Sequence, residues 1–419
     1  MRYNAEIFDQ VQSLFKVTKF NDHQLHCVIN FDNKVNKDVM KRSIFLMLDV
    51  VPILGSIYVT DKGHPYWERV DISRYTDVII STDNEVEFNS FITSKTNEFT
   101  GPQMKACLLT SGKDSLAIIM NHMVCDASDF KEYLYLLSDL YSKIVKNFDY
   151  SPDYIVNGDR SLKRINSQFK LKDKIMAFAF QNKENNKNSS YKFPMSGEKE
   201  TNPFILIHKL HKDRYLIIKE YYKRYNITLN DVVLAAYYRV LYNMLDIDSK
   251  SDLNIPIMVD MRRNLKDKTV DALCNLSSTA ITHIDHNIND EFYDTVVKVN
   301  KDMNLKKSKF IGLNGLIKLS IIFRIFNYKI SNSLVERALK NPLICMTNIG
   351  ILDFEKLQFE GVSIDEAYEC GSIKYKPHFQ LALSSFNDSI TFSVNLYGSS
   401  EDKEIIEHFF NLLDEELPQ

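Results

Sequence analysis

Ser115-Leu-Ala-Ile-Ile-Met-Asn-His-Met-Val-Cys-Asp126 decides how this chain is read. Leu116 to Met120 is a continuous apolar run, long enough for a buried strand and too short for a buried helix. From about Ser128 the pattern changes: Phe130, Tyr133, Leu134, Leu137, Leu140 and Tyr141 share one face of a helix. His122 therefore stands where a strand stops and the backbone turns, a place from which rigid elements aim functional groups. An imidazole takes and returns a proton near neutral pH, its unperturbed pKa being ~6.5. A carboxylate four positions on, Asp126, has three readings: it orients the histidine, it pairs with a cation and stiffens the turn, or it caps the following helix. A core histidine bonded to a backbone carbonyl is the plain alternative for His122.

Moving outward, 419 residues exceed one ordinary core, so two domains are expected. Hydrophobic residues make up 44% and charged residues 26%, as in a globular protein in water. A formal net charge of −3 offers no basic field for nucleic acid. Neither a Gly-x-Gly-x-x-Gly nor a Gly-Lys-Ser/Thr phosphate loop occurs. The six cysteines (Cys27, Cys107, Cys125, Cys274, Cys345, Cys370) are scattered, with no Cys-x-x-Cys pair, which suits a reducing compartment. The first residues lack the apolar core of a signal peptide, and no apolar run reaches the ~20 residues needed to span a bilayer. A cytoplasmic protein, monomeric and without a membrane span, is expected.

The clearest shift in composition is Gln181 to Asn202, polar and rich in Asn and Lys, which reads as a linker between residues 1–180 and 203–419. Before it, strands are expected at His26 to Phe31, Ile53 to Thr60 and Val78 to Ser81, a helix over Val35 to Val51, and a hairpin of Cys107 to Thr110 with Ser115 to Met120. After it come a strand near Phe204 to Leu210 and helices over Arg214 to Tyr225 and Leu229 to Leu245. The second of these opens on Thr228-Leu-Asn-Asp231, close to a capping box. Strands follow at Leu253 to Val259 and Leu276 to Thr282. Gln380 to Phe386 and Ile390 to Tyr397 form a hairpin around Asn387-Asp-Ser389, and Lys403 to Leu413 a last helix. The fold class is α/β, with mixed, largely antiparallel sheets.

Three later stretches join the histidine: Thr228-Leu-Asn-Asp-Val-Val-Leu-Ala-Ala, Ile255-Pro-Ile-Met-Val-Asp-Met-Arg-Arg and Met346-Thr-Asn-Ile-Gly350. In this order they resemble the CoA-dependent acyltransferase superfamily, which includes chloramphenicol acetyltransferase, alcohol acetyltransferases and condensation domains of nonribosomal peptide synthetases. The resemblance runs from about Ile7 to the last helix and is nearest to stand-alone condensation-like and alcohol acetyltransferase-like members. It implies two chloramphenicol acetyltransferase-like domains, each a mixed, mostly antiparallel sheet with flanking helices, and an active-site channel between them. It implies that His122 is the catalytic base and that Asp126 is structural, paired with Arg262. Thr347, Asn348 and Gly350 match a Ser-Asn-x-Gly segment lining the channel. Asn121 stands where condensation domains carry a first histidine, and Ala127 where glycine is usual. The Asp-Phe-Gly-Trp-Gly motif of plant members has no match.

The chemistry fits these residues. Acyl transfer from a thioester to a hydroxyl or amine needs a base for the acceptor proton and an acid for the departing thiolate, and one imidazole serves both. The tetrahedral oxyanion needs a donor, for which Thr347 is the candidate. No tightly bound cofactor or metal is called for. Acyl-CoA, or a phosphopantetheine thioester on an acyl carrier protein, would be the co-substrate of a small-molecule acyl acceptor. The alternatives are amide-forming condensation of carrier-bound substrates and a non-catalytic carrier- or ligand-binding protein on the same scaffold. Cys125 as a nucleophile is disfavoured because an extended segment turns it away from His122 and Asp126. His208 with His211 and His283 with His286 have metal-like spacing but no third ligand nearby. Phe310 to Ile330 reads as one amphipathic helix over the channel.

Overall fold

In the computed structural model, the strand of the opening stretch, Ser115–Asn121, is the middle strand of a five-stranded sheet. The structure describes the chain apart from residues 61–63, 184–189, 199–200, 248–252, 266–270, 286, 288, 309–311 and 340. The sheet runs Ile364–Cys370, Gln24–Phe31, Ser115–Asn121, Met104–Leu109, Ile79–Thr82. The hairpin forms with Leu109 opposite Ser115 and Met104 opposite Met120. Leu116 through Met120 are all sealed from solvent, as a strand covered on both faces must be. Helices Lys37–Val50 and Ala127–Lys146 pack together against it.

A second, seven-stranded sheet is built from later residues. Its order is Ser277–His283, Asn254–Asp260, Ile344–Leu352, Phe379–Phe386, Ser389–Gly398, Lys374–Tyr375, with Asn202–Leu210 also pairing Ser389–Gly398. The hairpin at Asn387 and Asp388 has positive φ at both residues (43° and 56°), which a tight two-residue turn demands and which Asn and Asp tolerate. Helix Leu229–Met244 buries Val232, Val233, Ala236, Tyr237, Val240 and Leu241 in this half's core. Its capping box is complete, with Asp231 in the place usually held by glutamate.

The two halves share a strand. Ile364–Cys370 comes from beyond residue 202, yet it pairs antiparallel with Gln24–Phe31 and completes the first sheet. With it Leu352, Leu357, Phe359, Ile364, Ala367 and Phe386 enter the first core. Alternating pattern marks a strand but not its partner, so this crossing has no local signal.

Three expectations change. Ile53 to Thr60 is not one strand: Pro52–Gly55 is a 3₁₀ turn, and only Ser56–Val59 is extended, in a small sheet with Tyr66–Arg69 and Arg2–Asn4. Pro52 fixes its own φ and starts the turn. The apolar stretch from Phe310 to Ile330 is two helices, Leu313–Ile325 and Tyr328–Ala338, broken where Asn327 caps the second by accepting from Ile330 N; Phe310 itself lies outside the described residues. Of the linker expected at 181–202, the helix Leu171–Lys183 takes the first residues and the strand Asn202–Leu210 the last, while 184–189 and 199–200 lie outside the described residues.

Candidate active site

The strand ends at Asn121 and the chain turns at once. Asn121 makes the turn: its Oδ1 accepts from Met123 N (2.9 Å) and its Nδ2 donates to Gln103 Oε1 (2.9 Å). The position where a condensation domain carries its first histidine is thus a buried brace. Because 122–124 is a turn and not an extended segment, the reason Cys125 faces away from His122 differs from the one expected. Cys125 is in the apolar core with its Sγ on Met120 Sδ (3.0 Å), and burial raises its pKa well above a free thiol's.

His122 is half-buried. Its Nδ1 lies 2.9 Å from the Cys125 carbonyl, and a carbonyl only accepts, so Nδ1 carries the hydrogen. In the neutral ring Nε2 then holds the lone pair, and no protein group described here bonds it. Burial is the largest influence on its pKa and lowers it, with Lys374 adding to the effect against the pull of Asp126. The shift favours the neutral imidazole, with its lone pair at Nε2.

Asp126 does two of the three things open to it. Its Oδ1 accepts from Asp129 N (3.3 Å) and caps helix Ala127–Lys146; its Oδ2 accepts from Arg262 Nη1 (2.9 Å), Leu276 N (2.8 Å) and Ser277 Oγ (2.9 Å). Burial opposes its charge, but the Arg262 guanidinium and these bonds outweigh it and hold the carboxyl below the usual range. Arg262 also meets Asp129 at 2.9 Å and Asp260 at 3.1 Å, while Arg263 beside it is exposed. The carboxylate does not touch the imidazole ring; it fixes the loop that carries it.

Sequence reasoning missed two parts of this brace. Asp129 was readable as a second carboxylate one helical turn on. Arg160 was not: it forms a bidentate pair with Asp9 (2.9 and 3.0 Å) and reaches Val124 O (3.2 Å), holding the turn from a segment with no motif.

His122, Asp126 and Thr347 line one cavity of about 530 Å³, together with residues of both halves. Thr347 sits just before a β-bulge between Asn348 and Gly350. Gly350 has φ +90°, and Asn348 Oδ1 holds its N–H at 2.9 Å. A Cβ at Gly350 would stand 3.3 Å from Lys131 Nζ, whose ammonium donates to Ile349 O (2.8 Å). Asn348 and Gly350 do not line the cavity; they form the irregularity beside Thr347. The Thr347 hydroxyl has no partner among the described residues. Ala127, in place of glycine, also lines the cavity. So do Ser372 and Lys374, to which no sequence motif pointed.

Among the described residues, no three His, Cys, Asp or Glu side chains gather as a metal site, and none of the helices is long and apolar enough to cross a membrane. His208 stacks on Phe410 (5.6 Å), and His283 lies 3.7 Å from Asp285; His286 is outside the described residues.

No family model matches the chain, and no curated protein does. Solved structures do match. Trichothecene 15-O-acetyltransferase from Fusarium sporotrichioides superposes with a TM-score of 0.75 at 12% identity, over 99% of this chain and 95% of that one. The first condensation domain of the CDA synthetase gives 0.70 at 12% identity, over 99% and 96%. The chain has the two-lobed fold of condensation domains and acetyltransferases. Polyketide synthase associated protein 5 from Mycobacterium tuberculosis shares the fold at a TM-score of 0.69 and 14% identity, over 98% and 97%. An epimerization domain of tyrocidine synthetase B is similar too, at 0.69 and 12% identity, so this condensation-type fold serves more than one chemistry.

Proposed function

We propose that the protein is an acyltransferase that moves an acyl group from a thioester to a hydroxyl or amine, with His122 as general base. The observation that carries this is the fixed tautomer: Nδ1–H is committed to the Cys125 carbonyl, so Nε2 is left as the acceptor on a cavity lined from both halves. Nε2 takes the proton from the acceptor, and the freed oxygen or nitrogen attacks the thioester carbonyl. The tetrahedral oxyanion is met by the Thr347 hydroxyl, and its collapse breaks the carbon–sulfur bond. The thiolate leaves with the proton from Nε2, giving an ester or amide and a free thiol. No acyl-enzyme is needed, since Cys125 is inert and buried.

The donor is acyl-CoA or a carrier-protein phosphopantetheine thioester, bound as co-substrate with no resident cofactor. A hydroxyl acceptor is favoured over an amine because a neutral hydroxyl needs the base at the moment of attack. The six cysteines are all free and buried, in keeping with work in the reducing cytoplasm.

Free-thiol release from a panel of acyl-CoA donors, with candidate alcohols and amines, tests the reading. His122→Ala should lower the rate by ~10²–10⁴-fold, and Thr347→Val by ~10²–10³-fold, the usual loss for one oxyanion donor. Transfer by His122→Ala within a few-fold of wild type would remove the histidine from the base role. Condensation of carrier-bound substrates is the second reading, favoured by the similarity to condensation domains. It predicts amide product from carrier-loaded donors and none from free acyl-CoA. A binding protein on this scaffold would show saturable stabilisation by ligand and no thiol release at all.

A further inference from the structure

Lys374 is 3% exposed, lines the cavity, and among the described residues has no carboxylate within the 4.0 Å of an ion pair. Other shielded lysines of this chain behave differently. Lys306 meets Asp302 at 2.5 Å, and Lys376 meets Asp402 at 2.6 Å. Lys374 has instead the face of Phe20, 3.8 Å from its Nζ to the ring centroid. Asp22 attracts it from beyond ion-pair distance: its Oδ1 is held by the N–H groups of Gln24 (3.2 Å) and Ile373 (3.0 Å), and its Oδ2 is buried and unbonded. Burial pushes the Lys374 ammonium down to about 8, the mark of a cation short of partners.

Two residues earlier, Ser372 is 4% exposed, lines the same cavity, and its hydroxyl is buried with no hydrogen-bond partner. A buried polar group without a partner costs stability, as does a buried charge without a counterion. Lys374 lines a space of about 530 Å³ that also holds His122, and the Ser372 hydroxyl lies buried in the wall of that space. A carboxylate satisfies both: it is a counterion for the ammonium and an acceptor for the hydroxyl.

We infer that Ser372 and Lys374 form an anion-recognition pair inside the cavity, and that one of the two substrates carries a carboxylate close to the reacting group. The word substrate rests on the transfer reading above; the anion binding does not.

Calorimetry with hexanoate and hexanamide, which differ in charge at similar size, tests the pair. Wild type and His122→Ala should both bind hexanoate, with hexanamide at least about tenfold weaker. Lys374→Met, which keeps the apolar stem, should bind hexanoate about tenfold more weakly and hexanamide unchanged. Ser372→Ala should lose a few-fold and serves if the lysine variant fails to fold. Competition by succinyl-CoA against butyryl-CoA, and by 3-hydroxybutyrate against its methyl ester, then tells whether donor or acceptor bears the charge. Equal binding of hexanoate and hexanamide by wild type, or full hexanoate affinity in Lys374→Met, would overturn the inference whether or not the enzyme transfers acyl groups. Hexanoate binding retained in a protein that releases no thiol would leave the pair standing and remove the transferase.

Discussion

The stretch of cavity wall that carries His122 and the stretch that carries Lys374 treat their polar atoms in opposite ways. Behind the histidine, Asp126 has four partners, Asn121 two, and the terminal nitrogens of Arg262 meet three carboxylates and the Cys274 carbonyl. At the other stretch a hydroxyl and an ammonium have no hydrogen-bonding partner among the described residues. A saturated network resists displacement and gives the imidazole one orientation. An unsaturated one holds interaction energy for whatever enters. Stability should therefore reside in the first wall and selectivity in the second.

The largest effect that tests this division falls on the first wall. Arg262→Met leaves Asp126 and Asp129 buried without a counterion and should cost ~3–5 kcal/mol in urea unfolding. Asp126→Asn should be similarly harmful, and the pair should be non-additive in a double-mutant cycle; simple additivity would dissolve the network into independent contacts. The folded pKa of Asp126 is depressed, so its contribution is present above the unfolded value of ~3.9 and disappears as pH falls through the folded one. A cap alone would be worth only ~0.5–2 kcal/mol.

Next in size is Asn121→Ala, which removes two buried hydrogen bonds from the turn and should cost ~1–3 kcal/mol, with a fall in transfer rate from a loosened imidazole. Unchanged unfolding would mean that the strand alone sets the turn. A pH profile sharpens the boundary between the walls. The base works only when neutral and its pKa is lowered, so the acid limb of kcat/KM should lie below the ~6.5 of a free imidazole. Lys374→Met removes one cause of that lowering and should move the limb upward, while urea stability should stay equal or rise as a buried unpaired charge is removed. An unmoved limb would separate the two walls electrically. The smallest effect belongs to Cys125→Ala, for which transfer within about threefold of wild type is expected, the thiol being only a small core hydrophobe.

Much of the first wall was legible because its pieces are adjacent in sequence. The run Leu116 to Met120, the turn at His122 and the apolar face from Phe130 onward each carry their own periodicity, and the α/β class followed from them. Asp126 was legible only as a set of alternatives, since capping and ion pairing use the same carboxylate and here occur together. Arg160, Ser372 and Lys374 were not legible at all. Their roles depend on where distant backbone passes, and a buried lysine and a surface lysine are spelled alike. The Thr347 segment lay between: the resemblance marked Thr347, Asn348 and Gly350 together, but not that Asn348 would turn onto a bulge at Gly350 instead of toward the cavity.

The strand shared between halves bears on how the chain is made. Gln24–Phe31 leaves the ribosome some 330 residues before its neighbour Ile364–Cys370. At ~5–20 residues per second that interval is tens of seconds, during which the nascent sheet has one bare rim of amides and carbonyls. A fragment ending at residue 180 would keep that rim for good and offer it to any other extended chain. Beside that rim stand the charged residues Asp32 and Lys34, the kind of flank that discourages edge pairing until Ile364–Cys370 closes the first sheet.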